Sequence, residues 1–476
     1  MAEDATDTTR AQPVDLSAGN SLPLRHRLFA PVDSASLVFF RVAFGVLMIW
    51  WLCDRIASGK VDHYYVDSAF RVSYYGFGWV RPWPGGGMYL HYYALLACAT
   101  CLVIGLWYRL SALLFFLGYT YLFLLESIYY NNHYYLISLL SLIMLIVPVH
   151  RAWSIDVLLW PQLRTSTAPA WALWLLRAQI AIPYFYGGIA KLNEDWLAGE
   201  PMRTWLSDKD FAPHLGAFFR QEAAIMCYSY GGLLFDLAVV PLLLWQRTRL
   251  ATFVVAVIFH LCNALLFQFS IGIFPWVMIA ATLMFFDPPW PRMQFLRHLA
   301  PGSQNLRWTP PRRLSMRQEF MLAFLTIYIS VQLLVPLRHF LYPGDANWTD
   351  EGQRFAWRMM LRSKTVTGDS QVYARYADGR KIPVLPDRKD LGETGRFKLA
   401  TILANPDLLL QYCHYISQVL RAKSNQKFRI EAHVAVSMNG RKPQRLIDPN
   451  VDLAVQPRSL KPAIWIMPLV EPLPTR

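Results

Sequence analysis

Residues 171–192 read WALWLLRAQIAIPYFYGGIAKL, and the polar run NEDWLAGEPM follows at once. An α-helix needs about 20 predominantly apolar residues to cross a bilayer, so this stretch predicts a membrane-spanning helix. The helix would end in Lys191, just after the Gly187-Gly188 pair, where the missing side chains allow another chain or a ligand to approach closely. A lysine next to the membrane core is either an anchor that reaches the interface or a desolvated amine with a chemical role.

The composition of the 476-residue chain is typical of a membrane protein, because 54% of the residues are hydrophobic, only 16% are charged, and the apolar residues form long blocks. The net charge of +14 indicates cytoplasmic loops rich in lysine and arginine. No basic amphipathic run interleaved with aromatic residues is present, so a nucleic-acid partner is not predicted. No metal site is predicted from the six cysteines.

Nine segments are apolar enough to be predicted as membrane spans. They are residues 35–54, 90–107, 111–130, 133–149, 171–191, 224–245, 250–267, 271–286 and 319–337. If the spans alternate in direction, many basic loop residues fall on one side, which should be cytoplasmic. These residues are Arg25, Arg27, Arg109, His150, Arg151, Arg164, Arg247, Arg249, Arg292, Arg297, Arg307, Arg312, Arg313 and Arg317.

The same alternation predicts three parts of the chain. Residues 1–30 would be a cytoplasmic tail, polar and disordered through about Ser21 and without a cleavable signal peptide before the first span. Residues 31–341 would be a transmembrane helical domain. Residues 342–476 would be a soluble extracytoplasmic domain.

The C-terminal part differs in composition from the rest, since charges and turn residues increase and no spanning segment remains after about Tyr342. The alternating runs QVYARY (371–376) and FRIEAHVAV (428–436) predict strands, and LLLQYCHYISQVLRAK (408–423) predicts an amphipathic helix. We therefore expect a mostly β domain with helical insertions. Cys53 and Cys413 would both lie on the outer side and could form a disulfide.

The role of Lys191 is open at this point. A lysine that acts in chemistry must be desolvated, because burial of a lysine lowers its pKa and frees the lone pair. Tyr184, Tyr186 and the glycine pair could line such a pocket. The polar residues Asn193-Glu194-Asp195 could equally keep the lysine charged.

Further polar residues lie in or beside the predicted spans. Asn131, Asn132 and His133, in ESIYYNNHYYL (126–136), would form a short turn at the outer surface, at the level of Lys191; turns favour asparagine, so a function is not required. His260 and Asn263, in VVAVIFHLCNALLF (254–267), share a helix face, and an intramembrane histidine indicates function. A purely structural pair of Arg177 with Asp236 could hold two helices together.

The stretch YFYGGIAKLNEDWLAG (184–199) resembles the vitamin K-dependent γ-glutamyl carboxylases, in which the lysine before Leu-(Asp/Asn) is the catalytic base. Other blocks resemble the family in the same order, from about residue 35 to 470. They are YNNHYYL (130–136), FHLCNALLFQFSIGIFPWVM (259–278), PWPR (289–292), LLVPLRHFLYPGDANWT (333–349), WRMM (357–360) and RLIDPNVDL (445–453). The resemblance implies a polytopic α-helical membrane protein with the transmembrane domain called HTTM, and it favours a bacterial relative.

The resemblance also implies roles by position. Lys191 corresponds to the catalytic base, and His133 could stabilise negative charge that develops beside it. The other implied site residues are Asn132, His260 and Tyr186 for the quinone, and Trp357, Met359 and Met360 for the substrate glutamate. The chain departs from the family at Gly352-Gln353-Arg354, where the family has more apolar and aromatic residues.

In that family the neutral lysine deprotonates reduced vitamin K, whose reaction with O₂ yields a base strong enough to remove the γ proton of a glutamyl side chain. The carbanion captures CO₂ and the quinone leaves as its epoxide. The chain is therefore expected to be an enzyme of a bacterial cell membrane that uses menaquinone or phylloquinone hydroquinone and carboxylates a peptide or protein.

Two alternatives stay open. One is a quinone epoxidase or oxidoreductase that does not carboxylate a peptide, which the altered residues 352–354 favour. The other is a membrane scaffold without enzymatic activity, in which Lys191 stays protonated.

Overall fold

The computed structural model describes residues 23–65, 70–207, 218, 220–295, 308–311, 313–384, 395–423 and 426–474. The polar N-terminal residues through Ser21, as well as Arg297, Arg307 and Arg312 of the predicted basic loops, lie outside the described residues. The α-helices in chain order are α1 (Leu24–Arg27), α2 (Ala35–Ala57), α3 (Lys60–Tyr65), α4 (Gly87–Ile104), α5 (Tyr108–Leu125), α6 (Asn132–Ile146), α7 (Ile155–Leu159), α8 (Ala170–Ala190), α9 (Glu194–Leu197), α10 (Met202–Ser207), α11 (Glu222–Leu244), α12 (Arg249–Ile271), α13 (Phe274–Thr282), α14 (Trp290–Phe295), α15 (Met316–Leu334), α16 (Ala346–Thr349), α17 (Gly395–Ala404) and α18 (Pro406–Lys423).

Each of the nine apolar segments contains a helix, but the helices are not equally suited to cross a membrane. In the described part of the chain, 6 helices are long and apolar enough to do so, namely α2, α4, α5, α11, α12 and α15. The helix α6 and the apolar stretch Phe274–Phe285 are shorter, and α8 is not among the six. Six candidate spans are therefore established, and the expectation of nine is not confirmed.

The membrane helices pack in pairs, with α2 along α4, α5 along α6, and α8 along α11. The approach of α8 to α11 requires glycine, because a Cβ atom on Gly188 would lie only 2.6 Å from the Leu237 side chain. At one end of the bundle the Arg41 guanidinium donates to the carbonyl oxygens of Val149 (3.0 Å) and Trp153 (2.5 Å). These contacts tie the loop after α6 to α2.

The C-terminal region contains two antiparallel three-stranded sheets, and a two-stranded antiparallel pair lies earlier in the chain. The strands are β1 (Pro31–Asp33), β2 (Thr167–Pro169), β3 (Lys364–Val366), β4 (Gln371–Tyr376), β5 (Lys381–Pro383), β6 (Phe428–His433), β7 (Ala435–Met438) and β8 (Gln444–Arg445). The C-terminal sheets have the orders β5-β4-β6 and β3-β7-β8. The run QVYARY forms β4 as predicted. The run FRIEAHVAV is divided at Val434 between the two sheets.

The helices of this region are as prominent as its strands. The helix predicted over 408–423 is confirmed as α18, and α17 precedes it. The strands are only two to six residues long. A region that contains sheets is therefore established, whereas a mostly β domain is not confirmed.

The Cys53–Cys413 disulfide does not form. Both thiols are free, with Cys53 exposed on α2 and Cys413 buried in the core of the C-terminal region. The amphipathic α18 turns its apolar face, including Cys413, toward the sheets and away from the surface. Burial raises the pKa of the Cys413 thiol, which disfavours the reactive thiolate.

The C-terminal region docks against the segment that follows α8. Both carboxylate oxygens of Asp195 accept hydrogen bonds from Arg441, each at 2.7 Å, and Asn439 donates a third at 2.6 Å. All three residues are buried. This bidentate contact fixes the C-terminal region next to Lys191, four residues earlier in the chain.

Candidate functional site

A cavity of about 870 Å³ extends from the interior of the helix bundle to the C-terminal region. Its volume lies within the range of typical ligand pockets. The inner part is lined mainly by residues of α6, α8, α11, α12 and α13, and the outer part by residues of 349–362 and 456–466. The cavity walls include Lys191, His133, Asn132, His260, Met359 and Met360.

Lys191 forms a buried ion pair at the wall of this cavity. Its Nζ atom lies 2.5 Å from Oδ2 of Asp236, donates to the Gly187 carbonyl at 3.2 Å, and lies 5.0 Å from the ring centroid of Trp196. Lys191 and Asp236 are each 6% exposed. The side chain therefore points into the protein, and the geometry of a lysine anchor that reaches the membrane surface is not found.

The depth of Lys191 follows from where α8 ends relative to α11. The helix ends at Ala190, yet Lys191 meets Asp236, which lies past the middle of α11. The chain then continues as the short helices α9 and α10. Lys191 consequently lies well inside the bundle.

His260 and Asn263 lie on one face of α12, as predicted, and both line the cavity. Nε2 of His260 is hydrogen-bonded to the Tyr184 hydroxyl at 2.7 Å, and its buried Nδ1 atom has no hydrogen-bond partner among the described residues. The Tyr228 hydroxyl donates to Oδ1 of Asn263 at 2.8 Å. These bonds connect α12 to α8 and α11 through polar groups inside the bundle.

Asn132 and His133 begin α6 and face the same cavity. The Tyr130 hydroxyl donates to Oδ1 of Asn132 at 2.9 Å and accepts from the Phe355 amide at 2.6 Å. The buried Nε2 atom of His133 has no hydrogen-bond partner within the described ranges. An unpaired polar atom in a dry site is costly, and it is available to a ligand.

The segment 350–360 lines the outer part of the cavity and has an unusual backbone. Four non-glycine residues in it, Asp350, Phe355, Trp357 and Met360, have φ between 55° and 64°. Such conformations cost energy and concentrate at ligand clamps and active sites. The segment also brings Met359 to α8, since a Cβ atom on Gly187 would lie 3.2 Å from the Met359 methyl carbon.

Two of the departures from the family at 352–354, Gly352 and Arg354, have structural explanations. Gly352 has φ of 69°, and a Cβ atom there would lie 2.5 Å from the Cα atom of His339, so only glycine fits. Arg354 donates to Asp407 at 3.1 Å and lies over the ring of Tyr74.

Two of the predicted site residues do not line the cavity. The Tyr186 hydroxyl donates to the Leu333 carbonyl at 2.5 Å and joins α8 to α15. Trp357 is fully buried, with its ring centroid 5.0 Å from that of Tyr135. Both support elements that form the cavity wall.

The predicted partners of the intramembrane charges were wrong. Arg177 does not pair with Asp236; its guanidinium donates to the carbonyl oxygens of Met284 and Phe286, at 2.8 and 3.1 Å. The partner of Lys191 at the cavity is therefore Asp236, which the sequence had suggested as a partner of Arg177. Either Arg177 or Lys191 could pair with a carboxylate inside a span. The depth of Lys191 in the bundle decides between them, and the sequence does not show that depth.

The residues after Lys191 do not hold its charge either. Asn193 caps α9 by accepting from the Trp196 amide at 3.0 Å, Glu194 is exposed, and Asp195 binds Arg441. The signal that could have found these roles is local, since Asn followed by two acidic residues is typical of a helix N-terminus.

Comparison with known families gives two matches. Residues 29–290 match the HTTM domain, and residues 317–472 match the lumenal domain of the vitamin K-dependent gamma-carboxylases. The first match alone covers more than half of the chain. The chain belongs to the vitamin K-dependent γ-carboxylase family. No solved structure matches it.

Membership of the carboxylase family agrees with the expected class of protein. The first match contains five of the six candidate spans, and the second contains most of α15 and the region with sheets, so this carboxylase-family member is a membrane protein with a lumenal-type C-terminal part. Within the described residues, no group of three or more His, Cys, Asp or Glu side chains is arranged to hold a metal ion.

Proposed function

We propose that this protein is a membrane enzyme that carboxylates the γ-carbon of glutamyl residues and couples this reaction to conversion of reduced vitamin K to its epoxide. The observation that carries the proposal is the buried Lys191–Asp236 pair at the wall of a cavity that the WRMM segment also lines. In the net reaction a γ C–H bond is replaced by a bond to the carbon of CO₂, while the quinol and O₂ become the epoxide and water.

The inner part of the cavity suits an aromatic quinol with an apolar side chain. It is lined by the rings of Tyr184, Phe259 and Phe274, and the unpartnered Nε2 atom of His133 is available to an oxygen of the quinol. Asn132, His133 and His260 would hold the ring. When bound, the quinol and O₂ supply the strong base that abstraction of a γ proton requires.

Lys191 is the base that starts this chemistry in our proposal. The base acts as the neutral amine, so the proton held by the Lys191–Asp236 pair must first leave the cavity. The Nζ atom then accepts a proton from a hydroxyl group, and the Asp236 carboxylate at 2.5 Å stabilises the ammonium that results. The burial of both residues keeps water away, which strengthens the interaction and protects a strong base from quenching.

The outer part of the cavity would admit the glutamyl side chain. Met359 and Met360 lie between this part and Lys191, and their flexible apolar side chains separate the acceptor carbon from water. The C-terminal region contributes the outer wall, so the substrate peptide would bind across residues 349–362 and 456–466.

The proposed topology places the C-terminal region outside the cytoplasm of a bacterial cell. It rests on nine spans, of which α6, α8 and Phe274–Phe285 would cross as shorter or less apolar helices inside the bundle, and on the basic loops. The domain limits 1–30, 31–341 and 342–476 follow from it. A C-terminal reporter that is active only in the cytoplasm should stay inactive, and activity of that reporter would reject this orientation.

The test of the activity uses protein in nanodiscs with vitamin K hydroquinone, O₂, ¹⁴C-bicarbonate and a short peptide. Epoxide and acid-stable label are measured in the same tube for a glutamate peptide and for the matched glutamine peptide. Lys191→Ala is the test variant, and the exposed Lys442→Ala is its control. We expect both products with wild type and with the control, label only with the glutamate peptide, and neither product with Lys191→Ala.

The other outcomes identify the alternatives. Epoxide without label over a set of acidic peptides would indicate a quinone epoxidase and reject carboxylation. Neither product from protein that elutes and melts as a folded species would indicate a scaffold without enzymatic activity.

A further inference from the structure

Arginines are concentrated in the outer part of the cavity. The five that line it are Arg338, Arg354, Arg358, Arg362 and Arg458. Three have carboxylate partners, because Arg354 and Arg458 both bind Asp407, and Arg362 pairs with Asp350. Arg338 and Arg358 form no ion pair with any described residue.

Arg358 has only neutral partners. Its Nη2 atom donates to Oδ1 of Asn347 at 3.0 Å, and Nη1 lies 3.4 Å from Nε2 of His339. The Nε atom is buried and has no hydrogen-bond partner among the described residues. Burial lowers the pKa of the Arg358 guanidinium, and the Asp345 carboxylate nearby, which forms no ion pair with it, offsets this only in part.

Arg338 is held in place without an anion as well. Its Nε and Nη2 atoms donate to the carbonyl oxygens of Gly352 and Arg354, at 3.2 and 2.6 Å. The guanidinium carbon lies 5.4 Å from the ring centroid of Phe355. Neutral groups therefore fix the orientation of both arginines and leave their charge for another molecule.

The surroundings of the two arginines are built for a ligand. Both contact or belong to the segment 350–360, whose backbone carries the four positive φ values. The next residue after Arg358 is Met359, whose methyl group reaches Gly187 beside the Lys191–Asp236 pair. Arg358, Met359 and Lys191 all line the cavity, so a ligand held by Arg358 would lie in the same cavity as the Lys191–Asp236 pair.

We propose that Arg338 and Arg358 form a carboxylate-recognition site that selects an acidic ligand in the outer part of the cavity. A guanidinium presents several donors to a carboxylate and is suited to such recognition. The source of the carboxylate is the side chain of an acidic peptide or a free dicarboxylic acid. The assignment of the ligand as the carboxylation substrate rests on the proposed function, whereas the binding itself does not.

The test is an equilibrium binding measurement without hydroquinone, so that it does not depend on turnover. A fluorescent peptide with one glutamate and its glutamine analogue are titrated into protein in nanodiscs, and glutarate is used as a competitor. The variants are Arg358→Gln, Arg338→Gln and Arg358→Lys. The matched control is Arg429→Gln, an exposed arginine that donates to the Asn450 carbonyl.

Wild type and the control should bind the glutamate peptide about 10-fold to 100-fold more tightly than the glutamine peptide. Arg358→Gln and Arg338→Gln should lose most of this preference, and Arg358→Lys should retain part of it because it keeps the charge. Displacement by glutarate at the same concentration as the peptide would identify a free dicarboxylic acid as the source, and no displacement would identify the peptide.

Equal binding of the two peptides by wild type, or an unchanged preference in folded Arg358→Gln and Arg338→Gln, would overturn the proposal. If Arg358→Gln does not fold, Arg358→Lys decides, since full preference in that variant would argue against recognition by the guanidinium fork. Failure of the carboxylation assay together with arginine-dependent binding would reject the proposed function alone.

Discussion

The pairing of Lys191 with Asp236 predicts a large coupling between the two residues in the stability of the protein. Each side chain is 7% exposed, so solvent screens the pair weakly. Removal of one partner from a buried pair leaves an uncompensated charge and costs roughly 3–5 kcal/mol, whereas replacement of both by apolar residues is often neutral. Lys191→Met and Asp236→Leu should each reduce the free energy of unfolding by about that amount, and the double variant should lose much less than the sum.

The assay is denaturant-induced unfolding in detergent micelles, with wild type, both single variants and the double variant. The expected coupling energy is at least about 2 kcal/mol, because contacting residues in one network are strongly non-additive. The control cycle removes Asp378 and Arg380, an ion pair whose side chains are 50% and 56% exposed. Exposed pairs contribute up to about 1 kcal/mol, so a coupling in the Lys191–Asp236 cycle no larger than this would refute the reasoning.

Three further predictions concern the substrate side of the cavity and the C-terminal region. Gly187→Ala should keep the fold but lower kcat with the peptide about tenfold. Its Cβ atom would lie 3.2 Å from the Met359 methyl carbon and 3.3 Å from Oδ2 of Asp236, and would therefore crowd both the substrate segment and the Lys191–Asp236 pair. Steady-state kinetics would check this, and an unchanged kcat would argue against these close contacts. Gly352→Ala should lower the melting temperature, because φ is 69° there and the new Cβ atom would lie 2.5 Å from the His339 Cα atom. The control Gly368→Ala should not lower it, since no atom lies within 4 Å of its Cβ position. Equal melting temperatures of the two variants would contradict the packing at Gly352. Burial lowers the pKa of Lys364 to about 8, so between pH 8 and 10.5 the unfolded chain binds more protons than the folded protein. Wild type should therefore gain stability relative to Lys364→Met as the pH rises through that window. A difference in melting temperature between the two proteins that stays constant with pH would exclude this.

The sequence predicted the elements that depend on local pattern. Apolar blocks of suitable length gave the positions of the membrane helices, and the alternation in QVYARY gave β4, because hydrophobic periodicity reports which face of an element is buried. The shared face of His260 and Asn263 also follows from helical geometry alone. These features require no knowledge of distant contacts.

The partners of charged residues could not be predicted, because they depend on where a helix ends within the bundle. The sequence placed Lys191 at the outer membrane surface, since a spanning helix of that length would reach it. In the structure α8 ends beside the interior of α11, and Lys191 therefore meets Asp236. The sequence did not predict the helix α17. This helix has no clear amphipathic pattern, and its helical state depends on packing against neighbouring elements.

If Lys191 is the base for the quinone chemistry, the initial rate of epoxide formation must depend on its amine. The measurement compares wild type with Lys191→Met and with the exposed Lys442→Met, in nanodiscs that contain saturating hydroquinone and O₂. We expect Lys191→Met to lose at least about 100-fold in rate while Lys442→Met stays near wild type, since a positioned general base contributes about 10²-fold to 10⁴-fold. A rate for folded Lys191→Met within about twofold of wild type would contradict it.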